Sequence, residues 1–304
     1  MDGLKTLYDP EGADIDIVFI HGLMGGWMKT WTKEEVLWPN ELLPKEVPTA
    51  RILSYGYNAD VVHFWSRPAD NRIDAISNSF FSQLTNNRSA AEASTRPIIF
   101  VAHSLGGIVV ANALVDATSN SYGEVSACVR GIIFLGTPHR GSSKANWGEQ
   151  ARKFIAYFKA TNSSLLKDLD AKSEKLAKIG DSFPSLLNTR GKQANTRIEV
   201  VCFYEGQPMG SLGKIVDETS ATLSGYEKIM LDADHSQMCK FATVDDNNYR
   251  QVAGQLIKWC KDFSKPVDGS KKDGDQKAFF YGTNYGLQQF SNTGTQTNHF
   301  GRPM

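Results

Sequence analysis

Short apolar segments alternate with longer amphipathic segments along most of this chain. The apolar segments are rich in Val, Ile and Phe, which favour strands, and their lack of polar alternation is typical of strands buried on both faces. They cover residues 15–20, 50–57, 97–102, 129–135 and 198–204, with a weaker segment at 214–216. Helical periodicity predicts helices over 74–85, 106–116 and 245–263, and two or three more within 145–187. The alternation predicts an α/β fold in which helices flank a mostly parallel sheet.

The composition changes abruptly near residue 264. A segment rich in Gly, Ser, Lys and Asp is followed, over residues 278–301, by one without Asp, Glu, Lys or Arg, in which six aromatic residues are interleaved with Asn, Gln, Thr and Gly. The first composition is typical of a linker. The second is that of either a plain disordered tail or a segment able to stack as cross-β structure. We expect these regions: a globular domain at 1–263, a helical cap within it at about 142–190, a flexible linker at 264–277 and a low-complexity tail at 278–304.

Charge and cysteine content narrow the class of protein. The 33 basic residues balance the 33 acidic ones, so no bulk positive field favours nucleic acid as a partner. The N-terminus leaves no room for a signal peptide, no apolar run approaches the roughly 20 residues of a membrane span, and the four cysteines form no CxxC pair. We therefore expect a cytoplasmic protein with free, buried thiols, and no metal or organic cofactor.

A serine stands between a predicted strand and a predicted helix, in Ala-His-Ser-Leu-Gly-Gly at 102–107. In a nucleophile elbow, small residues two positions before and after the serine let strand and helix approach closely, while the sharp turn exposes the hydroxyl. Here those positions hold Ala102 and Gly106, so alanine replaces the usual first glycine. The context predicts Ser104 as a hydrolytic nucleophile. A serine that only caps the following helix is the alternative.

Backbone donors for an oxyanion are expected beside this serine. The first strand of the predicted sheet runs into His-Gly-Leu-Met-Gly-Gly at 21–26, and a glycine-rich loop at this place lets N–H groups face a developing negative charge. We assign the donors to the backbone N–H groups of Leu23 and Leu105, with Met24 as the alternative to Leu23. The His21 side chain is expected to hold the loop.

The base and acid should follow the serine in the order acid, then histidine. His235 follows the last predicted strand, and Glu205 ends the segment before it; Asp217 is the alternative acid. His103 is adjacent to the serine, but at an elbow its side chain is expected to point away. The alternative for His235 is a surface histidine beside two aspartates. A triad of Ser104, Glu205 and His235 would hydrolyse esters through an acyl-serine.

These motifs, together with Phe-Leu-Gly-Thr-Pro-His-Arg-Gly-Ser at 134–142 and Asp-His-Ser-Gln-Met-Cys-Lys-Phe at 234–241, resemble a known hydrolase family. They are similar to the lipase-like domain of many fungal NOD-like receptor proteins, over about residues 3–262. They also resemble eukaryotic "serine active site containing" proteins, whose relatives act on phospholipids or on acyl groups of GPI anchors. The resemblance implies an α/β-hydrolase fold and the same triad, and the alanine at 102 is shared by such relatives.

The tail resembles the sigma-type amyloid motif of SesB-like effectors in fungal cell-death signalling. That resemblance implies self-assembly through 278–304 and, as partner, an NLR-type receptor with a matching N-terminal amyloid motif. Two hypotheses follow. In the first, the chain hydrolyses lipid acyl esters, and the tail recruits or activates it, with peripheral membrane contact on activation. In the second, the hydrolase domain is a catalytically dispensable scaffold, and the tail alone carries the function.

Overall fold

The computed structural model describes residues 2–59, 69–117, 122–139 and 169–264, together with Lys153 and Ala156. Its strands are β1 (Gly3–Tyr8), β2 (Ile15–Ile20), β3 (Thr32–Lys33), β4 (Val36–Leu37), β5 (Ala50–Gly56), β6 (Ile98–His103), β7 (Val129–Leu135), β8 (Glu199–Glu205) and β9 (Glu227–Leu231). Among the described residues, seven of these form one sheet in the order β1-β5-β2-β6-β7-β8-β9. β1 pairs antiparallel with β5, and all the other neighbours in this sheet are parallel.

Helices cover both faces of the sheet. They are α1 (Trp38–Glu41), α2 (Leu43–Glu46), α3 (Ala69–Ala90), α4 (Leu105–Asp116), α5 (Gly123–Cys128), α6 (Leu169–Gly191), α7 (Glu218–Ala221) and α8 (Asn247–Phe263). One apolar layer joins the sheet to α3, α4 and α6, and a second joins the opposite face to α1, α2 and α8. The central strands β2 and β6 are buried along their whole length, as a sheet covered on both sides requires.

The predicted parallel sheet is confirmed, but one predicted strand is wrong. Residues 214–216 form no strand, because the N–H groups of Ile215 and Val216 donate to the carboxylate of Glu205 instead of to a neighbouring strand. The edge strand in this part of the sheet is β9, whose sequence Glu-Lys-Ile-Met-Leu is mostly exposed and carries little apolar signal. β1, the opposite edge strand, was also absent from the sequence-based prediction.

The predicted helices lie close to the observed ones. α8 begins two residues later than expected because the side chain of Asp246 accepts hydrogen bonds from the N–H groups of Asn248 and Tyr249 and so caps the helix. Of the predicted cap at 142–190, the described part is mainly α6, whose buried face packs into the apolar layer beside α3 and α4. Residues 142–168, apart from Lys153 and Ala156, and the predicted tail at 278–304 lie outside the described residues; so does the predicted linker, apart from Ser264.

The amino-terminal end of β2 carries a buried ion cluster. Asp16 is fully buried, and its carboxylate accepts hydrogen bonds from Arg51, Arg88 and Arg96. Arg51 holds it through two nitrogens, at 2.9 and 3.1 Å. Arg88 also donates to the carbonyls of Ser94 and Arg96, at 3.3 and 2.7 Å, which ties α3 to the segment that enters β6. The cluster therefore joins β5, α3 and the segment before β6 to one carboxylate. It lies at the amino ends of the parallel strands, opposite their carboxyl ends.

Candidate active site

Ser104 lies in a strained turn between β6 and α4. Its backbone has φ 54° and ψ −125°, a conformation that non-glycine residues rarely adopt and that stores strain at functional sites. The turn is held by surrounding hydrogen bonds: the Ser104 N–H donates to the Leu135 carbonyl at 2.9 Å, and the Thr137 hydroxyl donates to the Ser104 carbonyl at 3.1 Å. This is the geometry of a nucleophile elbow, as the sequence predicts. The Ser104 side chain accepts no capping hydrogen bond from the N–H groups of α4, in contrast to the capping alternative.

Two glycines allow β2 and the elbow to meet. A Cβ atom on Gly106 would lie 2.4 Å from the Ile20 carbonyl oxygen and 2.5 Å from that of His21, and both are backbone atoms. A Cβ atom on Gly22 would lie 2.7 Å from the Ser104 Cβ. Ala102 instead occupies the regular part of β6, paired with Ile20 and Phe134, so that a methyl group is accommodated there. The glycine after the serine is therefore required for packing, whereas alanine is tolerated before it.

The three residues predicted as a triad lie in hydrogen-bond contact. The distance from His235 Nε2 to Ser104 Oγ is 3.0 Å, and that from His235 Nδ1 to Glu205 Oε1 is 2.7 Å. All three side chains are buried, with exposed fractions of 2% for Ser104 and His235 and none for Glu205. Since β6 and β8 are parallel, their carboxyl ends bring Ser104 and Glu205 to the same edge of the sheet, where the loop after β9 supplies His235.

Glu205 is held in one orientation by backbone donors. Its Oε1 accepts from the Val216 N–H at 2.8 Å, and its Oε2 accepts from the Ile215 N–H at 2.9 Å. With the contact to His235, both oxygens are engaged and the carboxylate faces the imidazole. Asp217, the alternative acid, instead caps α7, because its Oδ1 accepts from the Ser220 N–H at 2.8 Å. The structure thus places Glu205 against the histidine and Asp217 at a helix terminus.

The loop that carries His235 is anchored by three side chains. The Trp38 indole N–H donates to the Cys239 carbonyl at 3.0 Å, and Asp234 Oδ1 accepts from the N–H groups of Ser236 and Gln237. His103 Nε2 lies 2.9 Å from the His235 carbonyl, and the two imidazole rings are 4.9 Å apart. The expectation that His103 points away from the site is therefore wrong: as the residue before Ser104, it connects the elbow to the base loop.

The predicted oxyanion donors are the backbone N–H groups of Leu23 and Leu105, with Met24 as the alternative to Leu23. Met24 donates its backbone N–H to the Ala59 carbonyl at 2.9 Å, so this group is already engaged. Within the described residues, the N–H groups of Leu23 and Leu105 have no hydrogen-bond acceptor. Leu105 is the first residue of α4, where N–H groups lack an intrahelical partner and the helix dipole is positive. These two N–H groups remain available to a ligand oxygen.

Burial keeps two histidines near the site neutral at pH 7, because it lowers the pKa of each imidazole. His21 stacks on Tyr57 with ring centroids 4.3 Å apart, its Nδ1 lies 2.8 Å from the Gly22 carbonyl, and its Nε2 accepts from the Tyr57 N–H. Burial lowers the pKa of His21 to about 4 and that of His103 to about 3. With Nδ1 as its donor, His21 fixes the glycine-rich loop as the sequence predicts. Neutral His103 donates to the His235 carbonyl.

A third histidine gives a pH dependence that can be measured. His139 is buried against Phe134, its Nε2 has no hydrogen-bond partner among the described residues, and burial lowers its pKa to about 3. Between pH 6.5 and 3, His139 is protonated in the unfolded chain but neutral in the folded chain, so the free energy of unfolding falls as the pH falls. We expect His139→Leu to lower the slope of unfolding free energy against pH by about 1.4 kcal/mol per unit at pH 4.5–5.5. Urea unfolding at several pH values measures it, and an unchanged slope would contradict the assignment.

The candidate site opens into a cleft of about 240 Å³ that is continuous with solvent. Its lining comprises Leu23, Met24, Gly25, Lys29, Thr30, His103, Ser104, His235, Ser236, Cys239 and Lys240. Sequence reasoning found Ser104, His235 and Leu23 but missed both lysines. No group of three or more His, Cys, Asp or Glu side chains in the described part of the chain is arranged to hold a metal ion. All four cysteines are free thiols, and three of them are buried.

Comparison with known proteins gives relatives for most of the chain. No protein-family model matches it. It is 30% identical over 281 residues to Protein SERAC1 of Mus musculus, covering 83% of this chain and 40% of that protein. It is 28% identical over 266 residues to Protein SERAC1 of Homo sapiens, covering 79% of this chain and 38% of the human protein. The chain thus spans about 40% of the length of the curated relatives it matches.

A solved structure supports the architecture. The lipase BlEst2 of Bacillus licheniformis superimposes with a TM-score of 0.54 at 18% sequence identity, covering 84% of this chain and 97% of the lipase. No helix in the described part of the chain has the length and hydropathy needed to span a bilayer. The mostly parallel sheet, the helices on both of its faces and this superposition establish that the chain has an α/β-hydrolase fold.

Proposed function

We propose that this chain is a serine hydrolase that cleaves carboxylic esters, with lipid acyl esters as its substrates. The observation that carries the proposal is the buried triad in which His235 contacts Ser104 on one side and Glu205 on the other, with Ser104 and His235 lining an open cleft. In such a triad the histidine takes the proton of the serine hydroxyl as the oxygen attacks the ester carbonyl, and the carboxylate stabilises the imidazolium that forms. Ser104, His235 and Glu205 would act as nucleophile, base and acid.

The subsequent steps use the same groups in reverse. The tetrahedral intermediate carries its negative charge on the former carbonyl oxygen, and the N–H groups of Leu23 and Leu105 would donate to it. The protonated His235 then gives its proton to the departing alcohol, which leaves an acyl-Ser104 ester. His235 next deprotonates a water molecule that attacks this ester. The tetrahedral intermediate that results expels the Ser104 oxygen, which takes the proton back from His235. The products of the cycle are the alcohol, a carboxylic acid and free Ser104.

Apolar groups at the mouth of the cleft support acyl chains as substrates. Leu23 and Met24 line the cleft, and the Met24 side chain is 42% exposed. Met28, in the same segment, is 48% exposed. Exposed methionines are unbranched and adaptable, and they suit ligands of variable shape. An alkyl chain leaving the site over these residues would remove apolar surface from water, at about 0.8 kcal/mol per buried CH₂.

Hydrolysis of 4-nitrophenyl esters with acyl chains of increasing length tests this proposal. We expect saturable turnover by the wild-type protein, with kcat/KM rising from the acetyl ester to esters of medium length. Absence of turnover across the series would overturn the ester hydrolase. Equal kcat/KM for all lengths would leave the hydrolase standing and remove the preference for lipid acyl groups.

The choice of acid gives a prediction with a matched control. Glu205→Gln should lower kcat about ten-thousandfold, because the neutral amide no longer stabilises the imidazolium or fixes its tautomer. Asp217→Asn should leave kcat within a few fold, because Asp217 caps α7. Steady-state kinetics of both variants on one ester measure the difference. A large loss in Asp217→Asn with little loss in Glu205→Gln would reverse the assignment.

We also propose that the tail at 278–304 recruits the enzyme by amyloid templating on a receptor segment in fungal cell-death signalling. The composition supports it: residues 278–301 carry no Asp, Glu, Lys or Arg, and their Asn, Gln and aromatic residues can form stacked ladders. Deletion of 278–304 should abolish thioflavin-positive fibres but preserve ester hydrolysis. A full-length chain that forms no fibres, even when seeded with a synthetic 278–304 peptide, would indicate a plain disordered tail.

The enzyme and scaffold hypotheses differ in what they predict for loss of the serine hydroxyl. If the domain is catalytically dispensable, Ser104→Ala should leave the cellular response unchanged. The contacts of His235 with both Glu205 and the Ser104 hydroxyl favour the enzyme over the scaffold, because a base that contacts a serine in a strained turn is what ester cleavage requires.

A further inference from the structure

The wall of the cleft beside Ser104 carries two lysines. Lys29 is exposed on the short turn Lys29–Trp31, directly after the glycine-rich loop. Lys240 is half-buried on the loop that also bears His235. Lys29 follows the glycine-rich loop at 21–26, and Lys240 follows His235 in the loop after β9, so two separate segments bring a lysine to the cleft that contains Ser104.

Neither lysine is neutralised by the described part of the chain. No ion pair with a described carboxylate forms at Lys29 or Lys240, although other lysines such as Lys33 and Lys175 have acidic partners. Among the described residues, no Asp or Glu lines the cleft. Glu205 lies behind His235, fully buried, with both oxygens engaged by N–H groups. The groups that face a ligand therefore carry a local charge of one sign.

This local charge is not a consequence of overall composition. The whole chain has a formal net charge of +0, so the two cations at the cleft are a local feature. The amino end of α4, at Leu105, adds a positive dipole of the same sign. A cleft lined by charge of one sign concentrates the field, which attracts anions and speeds their association.

We propose that this cleft selects esters that carry an acidic group, a carboxylate or a phosphate, and that Lys29 and Lys240 bind that group while Ser104 attacks the ester carbonyl. The proposal rests on the ester hydrolase proposed above and names its substrate class. Lys240 shares a loop with the base, so binding of the anion there also positions the substrate with respect to His235. Lys29 binds the anion from the segment that follows the glycine-rich loop.

The test compares acidic and neutral esters of equal length. On the acyl side, the pair is mono-4-nitrophenyl adipate and 4-nitrophenyl hexanoate, which share the leaving group. On the alcohol side, the pair is 1-hexanoylglycerol 3-phosphate and 1-hexanoylglycerol, followed by titration of the released acid. For each pair, the measured quantity is the ratio of kcat/KM for the acidic ester to that for the neutral one. Whichever pair shows the preference identifies the side of the ester on which the acidic group is read.

We expect the wild-type ratio to exceed one for at least one pair and to fall about tenfold in Lys29→Gln and in Lys240→Gln. Because the interaction is between charges open to solvent, 0.5 M NaCl should also reduce the ratio. Lys192→Gln is the matched control. Lys192 is exposed in the connection between α6 and β8, at the amino end of β8, whereas the cleft lies at the carboxyl ends of the strands. Its ratio should equal that of the wild type within twofold.

Two failures are distinguishable. If the wild type hydrolyses neutral esters and the ratio is the same within twofold in Lys29→Gln, Lys240→Gln and Lys192→Gln, the lysine site is overturned and the hydrolase stands. If the wild type hydrolyses none of the four esters, the proposed function fails and the lysine site falls with it.

Discussion

Replacing Ser104 with alanine should lower kcat for 4-nitrophenyl esters about a millionfold, leaving only the residual rate that the oxyanion donors and substrate binding supply. Without the hydroxyl no acyl-enzyme forms, and the remaining groups can only orient water. The substitution removes one oxygen from a side chain that is 2% exposed, so the fold should persist. Steady-state kinetics, with circular dichroism to monitor the fold, give the comparison.

Ser236 provides the control for this experiment. It is a second serine lining the same cleft, next to the proposed base in sequence, and its backbone N–H is held by Asp234. Ser236→Ala should retain at least a tenth of the wild-type kcat. Comparable losses in the two variants would mean that Ser104 has no special role and would contradict the proposed nucleophile.

Replacing Asp16 with asparagine should destabilise the protein by about 3–5 kcal/mol, because the neutral amide leaves buried guanidinium groups without a counter-charge. Arg51 and Arg88 are each only 1% exposed, and Asp16 is the carboxylate that both contact. Domains of this kind are stable by only about 5–15 kcal/mol, so the loss is a large share of the total. Urea unfolding of the wild type and Asp16→Asn measures it.

The same substitution at a surface ion pair serves as the control. Asp245 contacts Arg250, and the two side chains are 79% and 59% exposed. Asp245→Asn should change the unfolding free energy by less than about 1 kcal/mol, since exposed pairs contribute little. Equal effects at Asp16 and Asp245 would show that the buried cluster does not stabilise the fold as described.

The sequence predicts the centre of this fold better than its edges. β2, β6 and β7 are buried along most or all of their length, so each appears in the sequence as a mostly apolar run. β9 lies at the edge of the sheet, where exposed charges hide the strand. Residues 214–216 have strand-like side chains but use their backbone N–H groups to hold Glu205, a tertiary interaction that no local pattern reveals.

In the candidate site, too, the residues that strand order places could be predicted, whereas those that loop conformation places could not. Ser104, His235 and Glu205 follow strands in a fixed order, so strand order alone brings them together. His103 and Lys240 could not be assigned in this way, because their roles depend on how the loop after β9 folds back over the elbow. Side chains placed by loop conformation carry no periodic signal in the sequence.

Labelling with a fluorophosphonate, followed by mass spectrometry of the peptides, tests the proposed nucleophile most directly. Such probes phosphonylate a serine only when a neighbouring base activates it. We expect one modified peptide, with the mass shift on Ser104, and no label in His235→Ala. Modification of a different serine, or ester hydrolysis that continues after Ser104 is fully labelled, would contradict the assignment of Ser104 as the nucleophile.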